Sequence, residues 1–502
     1  MRLNTLISNN YFILFCFTII GLTAYFNCVY VGLLSDDFCF FFNAKEKGWD
    51  LILENFNDPF FLPLTHLFQL VVYKVFGENF VAFHLLQLTI HIAVSWQIFL
   101  LVKVQKNSLS VFFPILCGLF FLILPYHTES VVWLSAISYP ICMFFALLSI
   151  RCYINSRYIL LYLLLTLSIL CKEMGYIIPF VVIALDWYNY NFKRIRKTLL
   201  PTTLLVIGNI LTRYFVLDSF VGGYGIDRHL SFDLFLILKS IGVYILKYIT
   251  FFRFSNSPYI AICVVISLAG LTIPFLRNYS LNKFKRSFTL ILLLFLITLL
   301  PVITLETSSF HSIESDRYGY FNTLIFCISI SFFISHWKSQ YVPFLSIILA
   351  TVFCSLTIQD TYKWKNASFL CSSYLNKLSA ICVKTQSVLL INTPDNFKGV
   401  YVLRNGVEDF LKNKGVNVKS KVLEFQKFNS INGGSKIVNG NLVNHNTEKI
   451  DYENSSTNRN LILSMNQARF VTFDKLLIYC NSNFKEVNYN PKNHSFSYLI
   501  NE

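Results

Sequence analysis

Of 502 residues, 55% are hydrophobic, only 14% are charged and 51 are Phe, which leaves too little polar surface for an ordinary soluble globule and marks a membrane protein. The formal charge of +15 would point to nucleic acid in a soluble chain, but here thirteen Lys and Arg, from Lys103 to Lys338, lie in short loops between apolar runs, so they read as cytoplasmic loops and exclude a nucleic-acid partner. The thirteen Cys are scattered without a CxxC pair and read as small buried apolar residues, not zinc ligands or disulfides.

The first apolar run, 11 to 34, follows Arg2 and has no small-residue cleavage site before Asp36, so it reads as a retained anchor with a cytoplasmic N-terminus. It ends in "LLSDDFCFFF", which puts Asp36 and Asp37 at the extracytoplasmic mouth. The outer loop 35 to 78 contains "DPFFLPLTHLFQLVVYKVFG", with apolar residues at helical spacing after Pro63; it is too short to span and is expected to lie along the membrane surface.

Further helices are expected at 79 to 102, 110 to 125, 130 to 150, 156 to 171, 174 to 189, 198 to 217, 234 to 252, 258 to 276, 287 to 305, 320 to 336 and 341 to 359. If all twelve crossed, the basic loop "RNYSLNKFKR" and Lys338 would fall outside. The segment 234 to 252, with Lys239 and Lys247, is therefore expected to lie in the interface or to enter and return, leaving eleven crossings. Of the sixteen Asp and Glu before Gln359, fifteen then lie outside, and only Asp186 lies near the inner face.

After 359 the chain becomes polar. A linking helix is expected over 360 to 386, and then short alternating runs such as "SVLLINTP", "GVYVLRNG" and "RFVTFDKLLIYC" between Asn/Gly-rich turns, with a loop near 439 to 459. The fold class is thus an α-helical polytopic membrane domain, 1 to 359, followed by the linking helix and a small extracytoplasmic α/β or β domain, 387 to 502.

Five polar clusters fall at outer helix ends: Asp36/Asp37; "PYHTES" with His127 and Glu129; "CKEMG" with Lys172 and Glu173; "GGYGIDRH" with Asp227, Arg228 and His229; and "FHSIESDRYGYF" with His311, Glu314, Asp316 and Arg317. Ionised groups at membrane depth cost roughly 2.5–3.5 kcal/mol each on insertion scales, so such groups gather around cavities. Any one cluster other than the first is equally well a wet loop; five on one face favour a site. Paired carboxylates with cations from other loops suit removal of a proton from an acceptor hydroxyl while a donor phosphate is held. A divalent cation bridging the pair is the weaker reading, because two adjacent carboxylates alone are a poor metal signature.

"DDF" after the first helix, "PL" followed by "VYKVFGENFVAFHLLQLTIH", "PYHTESVVW", "CKEMG" and "ESDRYGYF", in this order over about residues 10 to 365, resemble the type-C membrane-embedded glycosyltransferases, and within them the branch of protein O-mannosyltransferases with tetratricopeptide repeats and its bacterial relatives. The resemblance implies an inverting sugar transfer from a polyprenyl-phosphate donor at the extracytoplasmic face of the cell (inner) membrane. It implies Asp36 or Asp37 as general base and Lys172 and Arg317 as donor-phosphate ligands. His127, Glu129, Glu173 and Glu314 would shape the acceptor or sugar pocket, and His66, Asp227 and Arg228 join them by position.

Two departures bear on the acceptor. Leu62 stands where relatives often carry Arg, and no repeat array follows the membrane part; the tail "LLINTPDNFKGVYVLRNGVEDFL" resembles those of bacterial relatives instead. Glycan, lipid and protein acceptors all stay open. A glycan polymerase or ligase of another membrane family would rely on Arg228 and His229 more than on the aspartates. A lipid-linked sugar flippase would place charge at midplane in two related halves, whereas here it crowds one face.

Overall fold

A computed structural model describes residues 9–52, 60–104, 112–190, 192–217, 234–249, 281–303, 313–336, 340–382, 388–393, 396–404, 406–414, 422–426, 437–438, 441–443, 449–451, 460–464, 475–480, 483–487 and 495–499. The expected helix at 258 to 276, together with Asp227, Arg228, His229 and His311, lies outside them. The chain divides into two compact units: Met1–Val29 with Lys47–Tyr362, and Tyr30–Glu46 with Lys363–Glu502.

The first unit is helical. Helix α1 (Asn10–Ala24) begins where the Asn9 side chain accepts from the N–H groups of Tyr11 and Phe12, and the short α2 (Asp36–Glu46) belongs to the second unit. Next come α3 (Pro63–Phe76), opened by Pro63 and closed by Gly77 at φ +60, then α4 (Phe80–Val104), α5 (Phe112–Ile123), α6 (Thr128–Val132), α7 (Ser138–Ile154) and α8 (Tyr158–Cys171). The series continues with α9 (Ile178–Tyr188), α10 (Phe192–Leu217), α11 (Leu234–Ile249), α12 (Leu281–Leu299), α13 (Thr323–Ser335) and α14 (Val342–Cys382), whose residues from Lys363 on belong to the second unit. The helices expected at 341 to 359 and over 360 to 386 run together as the one helix α14. Polar residues after Asp360 change what the helix faces without containing a Pro or Gly that would stop it.

Among the described residues, four helices are long and apolar enough to cross a membrane: Phe80–Val104, Leu134–Ile154, Lys197–Leu217 and Val342–Ile381. The pair Phe112–Ile123 and Pro125–Val132, bent by 52°, makes a fifth if taken as one span, and four shorter apolar helices accompany them. The chain is a helical membrane protein.

The bend explains a stripe of polar residues inside the bundle. Pro125 has no N–H, and the turn that precedes it leaves carbonyls without helical partners, which cannot go unsatisfied in an apolar interior. His127 Nδ1 lies 2.7 Å from the Phe121 carbonyl, His91 Nε2 lies 3.0 Å from that of Leu122, and Thr357 Oγ1 donates to that of Ile123 at 2.7 Å. Further on, Gln87 Nε2 donates to the Ser130 and Trp133 carbonyls at 2.8 Å each. His84, Gln87, His91 and Ser95 form one buried line along α4 at helical spacing. At the opposite side of the sequence pattern, Asp186 is buried and accepts the Tyr153 hydroxyl, while Arg194 donates to the Tyr153 and Ile154 carbonyls at 3.0 Å, closing the C-terminus of α7.

Among the described residues, the second unit contains α2, the part of α14 from Lys363 on, α15 (Val407–Asn413) and eleven strands. Strands β1 (Val388–Thr393), β4 (Val422–Gln426), β9 (Lys475–Cys480) and β10 (Asn483–Val487) form a sheet ordered β10-β9-β1-β4, in which β1 is parallel to both neighbours and β10 antiparallel to β9. A second, antiparallel sheet is ordered β11-β8-β7-β6-β5: β5 (Ile437–Val438), β6 (Asn441–Val443), β7 (Lys449–Asp451), β8 (Asn460–Ser464) and β11 (Ser495–Leu499). The short hairpin β2 (Asn396–Phe397) and β3 (Val400–Tyr401) turns through Lys398 and Gly399, both at positive φ.

Candidate functional site

In the second unit, Asp36 and Asp37 open α2, where carboxylates favour the positive end of the helix dipole. They differ in environment. Asp37 is 1% exposed and accepts the Leu34 N–H at 3.1 Å, while its own N–H returns to the Leu34 carbonyl at 3.0 Å. That reciprocal pair fixes the turn. Asp36 is half-buried, follows Ser35 at φ +49, and has Ser35 Oγ at 3.5 Å from its Oδ1.

In the first unit, Lys172 leaves the end of α8 in extended conformation, with φ -165 and ψ 145. Three contacts hold it there: Thr65 of α3 donates to the Cys171 carbonyl at 2.9 Å, Cys142 Sγ approaches the Lys172 carbonyl at 3.6 Å, and Gly175 packs so closely that a Cβ would stand 2.9 Å from Ile169 N. The ammonium is nearly buried, 4.6 Å from the centre of the Phe60 ring and 5.3 Å from that of Tyr139.

Glu173 bridges two cations, with Lys172 Nζ at 3.6 Å from one oxygen and Arg213 of α10 at 3.7 Å from the other. Both separations exceed the ~2.7–2.9 Å of a charge-assisted hydrogen bond. Among the described residues, Arg213 Nε and Glu173 Oε2 have no hydrogen-bond partner. Burial alone would raise the Glu173 carboxyl, but Lys172 and Arg213 outweigh it and hold the carboxyl below its ordinary range. His66, on α3, feels the same ammonium: burial first, then Lys172, push its imidazole down to about 4.

Arg317 sits in the short 3-10 turn Asp316–Gly319, entered through Ser315 at φ +66. Glu129, 1% exposed, accepts both the Arg317 backbone N–H at 2.7 Å and its guanidinium, which lies over the rings of Trp133 (4.9 Å) and Tyr318 (4.5 Å). Beside it, Asp316 pairs with buried Lys247 of α11 at 2.9 Å, and Lys247 also donates to the Glu314 carbonyl at 3.3 Å; Glu314 itself is half-buried. The Tyr139 and Tyr318 rings, 6.4 Å apart, join the Lys172 and Arg317 groups.

Lys172, Glu173, His66, Glu129, Arg317 and Glu314 therefore belong to one unit; Lys172 and Glu173 are linked to Glu129 and Arg317 through direct contacts and that tyrosine pair, and His66 is coupled to Lys172 electrostatically. Asp36 and Asp37 belong to the other unit. His127 is fully buried in the helix break: its Nδ1 carries the proton given to the Phe121 carbonyl, and its Nε2 lies 2.6 Å from Thr323 Oγ1. Both nitrogens serve the backbone and the bundle. Sequence reading passed over Arg213 as a site residue and took Lys247 only as a sign against crossing. For Arg213, the available signal was a cation near the C-terminal end of an apolar helix. Among the described residues no three His, Cys, Asp or Glu side chains group as a metal site.

No family model matches the chain, and no curated protein matches it. Among solved structures it is similar to the crystal structure of ArnT from Cupriavidus metallidurans bound to undecaprenyl phosphate, at 11% identity and a TM-score of 0.37, over 79% of this chain and 84% of that chain.

Proposed function

We propose that this protein is an inverting glycosyltransferase of the cell membrane that moves a sugar from a polyprenyl-phosphate donor to an acceptor hydroxyl on the extracytoplasmic face. The observation that carries the reading is the unequal charge around Glu173: two nearly buried cations, Lys172 and Arg213, share one carboxylate at 3.6 and 3.7 Å. Among the described residues, two cations thus share one carboxylate; a positive charge in such surroundings is stabilised by an incoming anion, and a phosphate offers several acceptor oxygens to both cations. The aromatic rings of Phe60 and Tyr139 give the same place an apolar wall.

In the reaction, the acceptor oxygen bonds to the anomeric carbon as the sugar–phosphate bond breaks, and the electron pair leaves with the polyprenyl phosphate. Lys172 and Arg213 receive the charge that grows on the leaving phosphate, with Arg317 contributing through the field of its partly exposed guanidinium. Asp36 takes the acceptor proton. Asp36 is favoured over Asp37 because the Asp37 carboxylate is buried and holds the Leu34 N–H. Glu129 fixes Arg317, and His66 stays neutral beside Lys172, leaving the donor's charge to the cations.

The test is deletion of the gene in its host, with comparison of the masses of surface glycans, lipids and secreted proteins. Loss of one hexose or pentose unit, restored by wild type but not by Asp36→Asn or Lys172→Gln, is the expected result. Restoration by both variants overturns the assignment.

A further inference from the structure

The tail that follows the membrane part contributes no side chain to the chemistry proposed above, yet in the second unit it meets the segment that carries Asp36. Ser35 N–H donates to the Val402 carbonyl at 3.0 Å, so the residue directly before Asp36 is tied to the tail by its backbone. Gly406, at φ +85, lies against the same residue: a Cβ there would stand 2.6 Å from the Ser35 carbonyl oxygen and 2.8 Å from Phe38 Cβ. Only glycine permits that approach and that backbone conformation together. Ser35 itself is held at φ +49, a conformation that a non-glycine residue keeps only when its surroundings impose it.

The grip extends along the helix. Phe410 of α15 meets Phe38 edge-on at 5.6 Å, Lys412 lies 5.8 Å from the Phe42 ring centre, and Lys45 donates to Asn413 at 2.8 Å. Val402, Leu403, Val407 and Leu411 are buried. Behind them, α14 secures both partners, with Cys371 Sγ at 3.6 Å from the Val402 carbonyl and Ser368 Oγ accepting from Gly32 N–H at 2.6 Å.

We infer that residues 400–404 and 406–413 form a positioning clamp for Asp36, with Gly406 and Val402 as its positioning residues acting through Ser35. This rests on the glycosyltransferase reading for what Asp36 does, but the clamp itself is a property of the second unit. The tail is then a working part of the catalytic apparatus and is not a passive appendage. A base must be held within a fraction of an ångström of the proton that it takes, and Asp36 follows a left-handed residue whose N–H is bonded by Val402 and whose carbonyl is packed against Gly406.

Hydrogen–deuterium exchange on the full-length protein in nanodiscs tests it, comparing wild type, Gly406→Ala and Phe410→Ala over peptides covering 33–42. Binding of undecaprenyl phosphate in vesicles and restoration of surface-glycan mass in the deletion strain are measured on the same variants. Gly406→Ala is expected to speed exchange across the segment and to lower transfer roughly tenfold or more, since a 1 Å misplacement costs up to about 100-fold. Undecaprenyl phosphate affinity should stay within about twofold of wild type, because binding common to ground and transition states is untouched. Phe410→Ala should do the same more weakly, and it decides the matter if Gly406→Ala fails to accumulate.

Unchanged exchange in both variants overturns the clamp. Faster exchange with undiminished transfer overturns the positioning role. Full transfer by Asp36→Asn would instead remove the proposed base while leaving the exchange result standing, so the two failures are distinguishable.

Discussion

Glu129 holds Arg317 from two directions, taking its backbone N–H at 2.7 Å with one oxygen and its guanidinium with the other, at a position 188 residues away in the chain. The carboxylate is buried, so replacing it leaves a cation without its answering charge. Glu129→Gln, which keeps an acceptor and removes the charge, should cost about 3–5 kcal/mol of stability. Unfolding in detergent checks this, and a double-mutant cycle with Arg317→Lys should be strongly non-additive. Additive effects would mean that the two side chains act independently.

The neighbouring pair behaves differently on paper. Lys247 and Asp316 are both buried and 2.9 Å apart. Asp316→Asn should destabilise by about 3–5 kcal/mol, whereas the joint replacement Lys247→Met with Asp316→Leu should recover most of the loss, because no charge then stays in the interior. Thermal scanning of the three proteins decides it; a double variant no better than the single one contradicts the account.

His66 gives the protein a pH dependence of known sign. Its imidazole is depressed from 6.5 to about 4, so between these values the unfolded chain binds a proton that the folded chain refuses. Stability from this group is complete above about pH 6.5 and is lost as pH falls toward 4. His66→Gln should flatten the stability curve within that window. Glu173, held low by its cations, loses its contribution only at more acid pH and should remain visible in the variant.

The two aspartates should separate by kind of defect. Asp37→Ala removes the acceptor for Leu34 N–H and should cost about 0.5–2 kcal/mol, as for a lost helix cap. Asp36→Asn should leave unfolding unchanged and abolish sugar transfer. Normal transfer by Asp36→Asn, with loss in an Asp37→Asn protein that folds, would exchange their roles.

The apolar helices were plain in the sequence because uninterrupted runs of Leu, Ile and Phe leave few alternatives at membrane length. The helix over Pro63–Phe76 was equally plain from its spacing, its opening Pro and its closing Gly. Strand-forming runs of the tail were visible too, although α15 was hidden in "GVEDFLKN", whose few apolar residues have meaning only against α2. Short polar motifs singled out Lys172, Glu129 and Arg317 as candidates, but the pairing of Glu129 with Arg317 and of Arg213 with Glu173 was not legible in them. Such pairings join residues far apart in the chain, and no local period encodes them. His127 stood in a polar motif that reads as a pocket, and the helix break that occupies both of its nitrogens depends on carbonyls presented by a different part of the fold.

The bend before Pro125 also bears on the order in which the protein is made. The Ile123 carbonyl receives its hydrogen bond from Thr357, a residue 234 positions later. While the ribosome is still translating the intervening stretch, that oxygen has no lasting partner and must borrow one from water, lipid headgroup or insertion machinery. The early hairpin therefore matures only when the last long helix arrives, and a chain released before residue 357 should be recognised as unfinished by membrane proteases, however well its first helices have inserted.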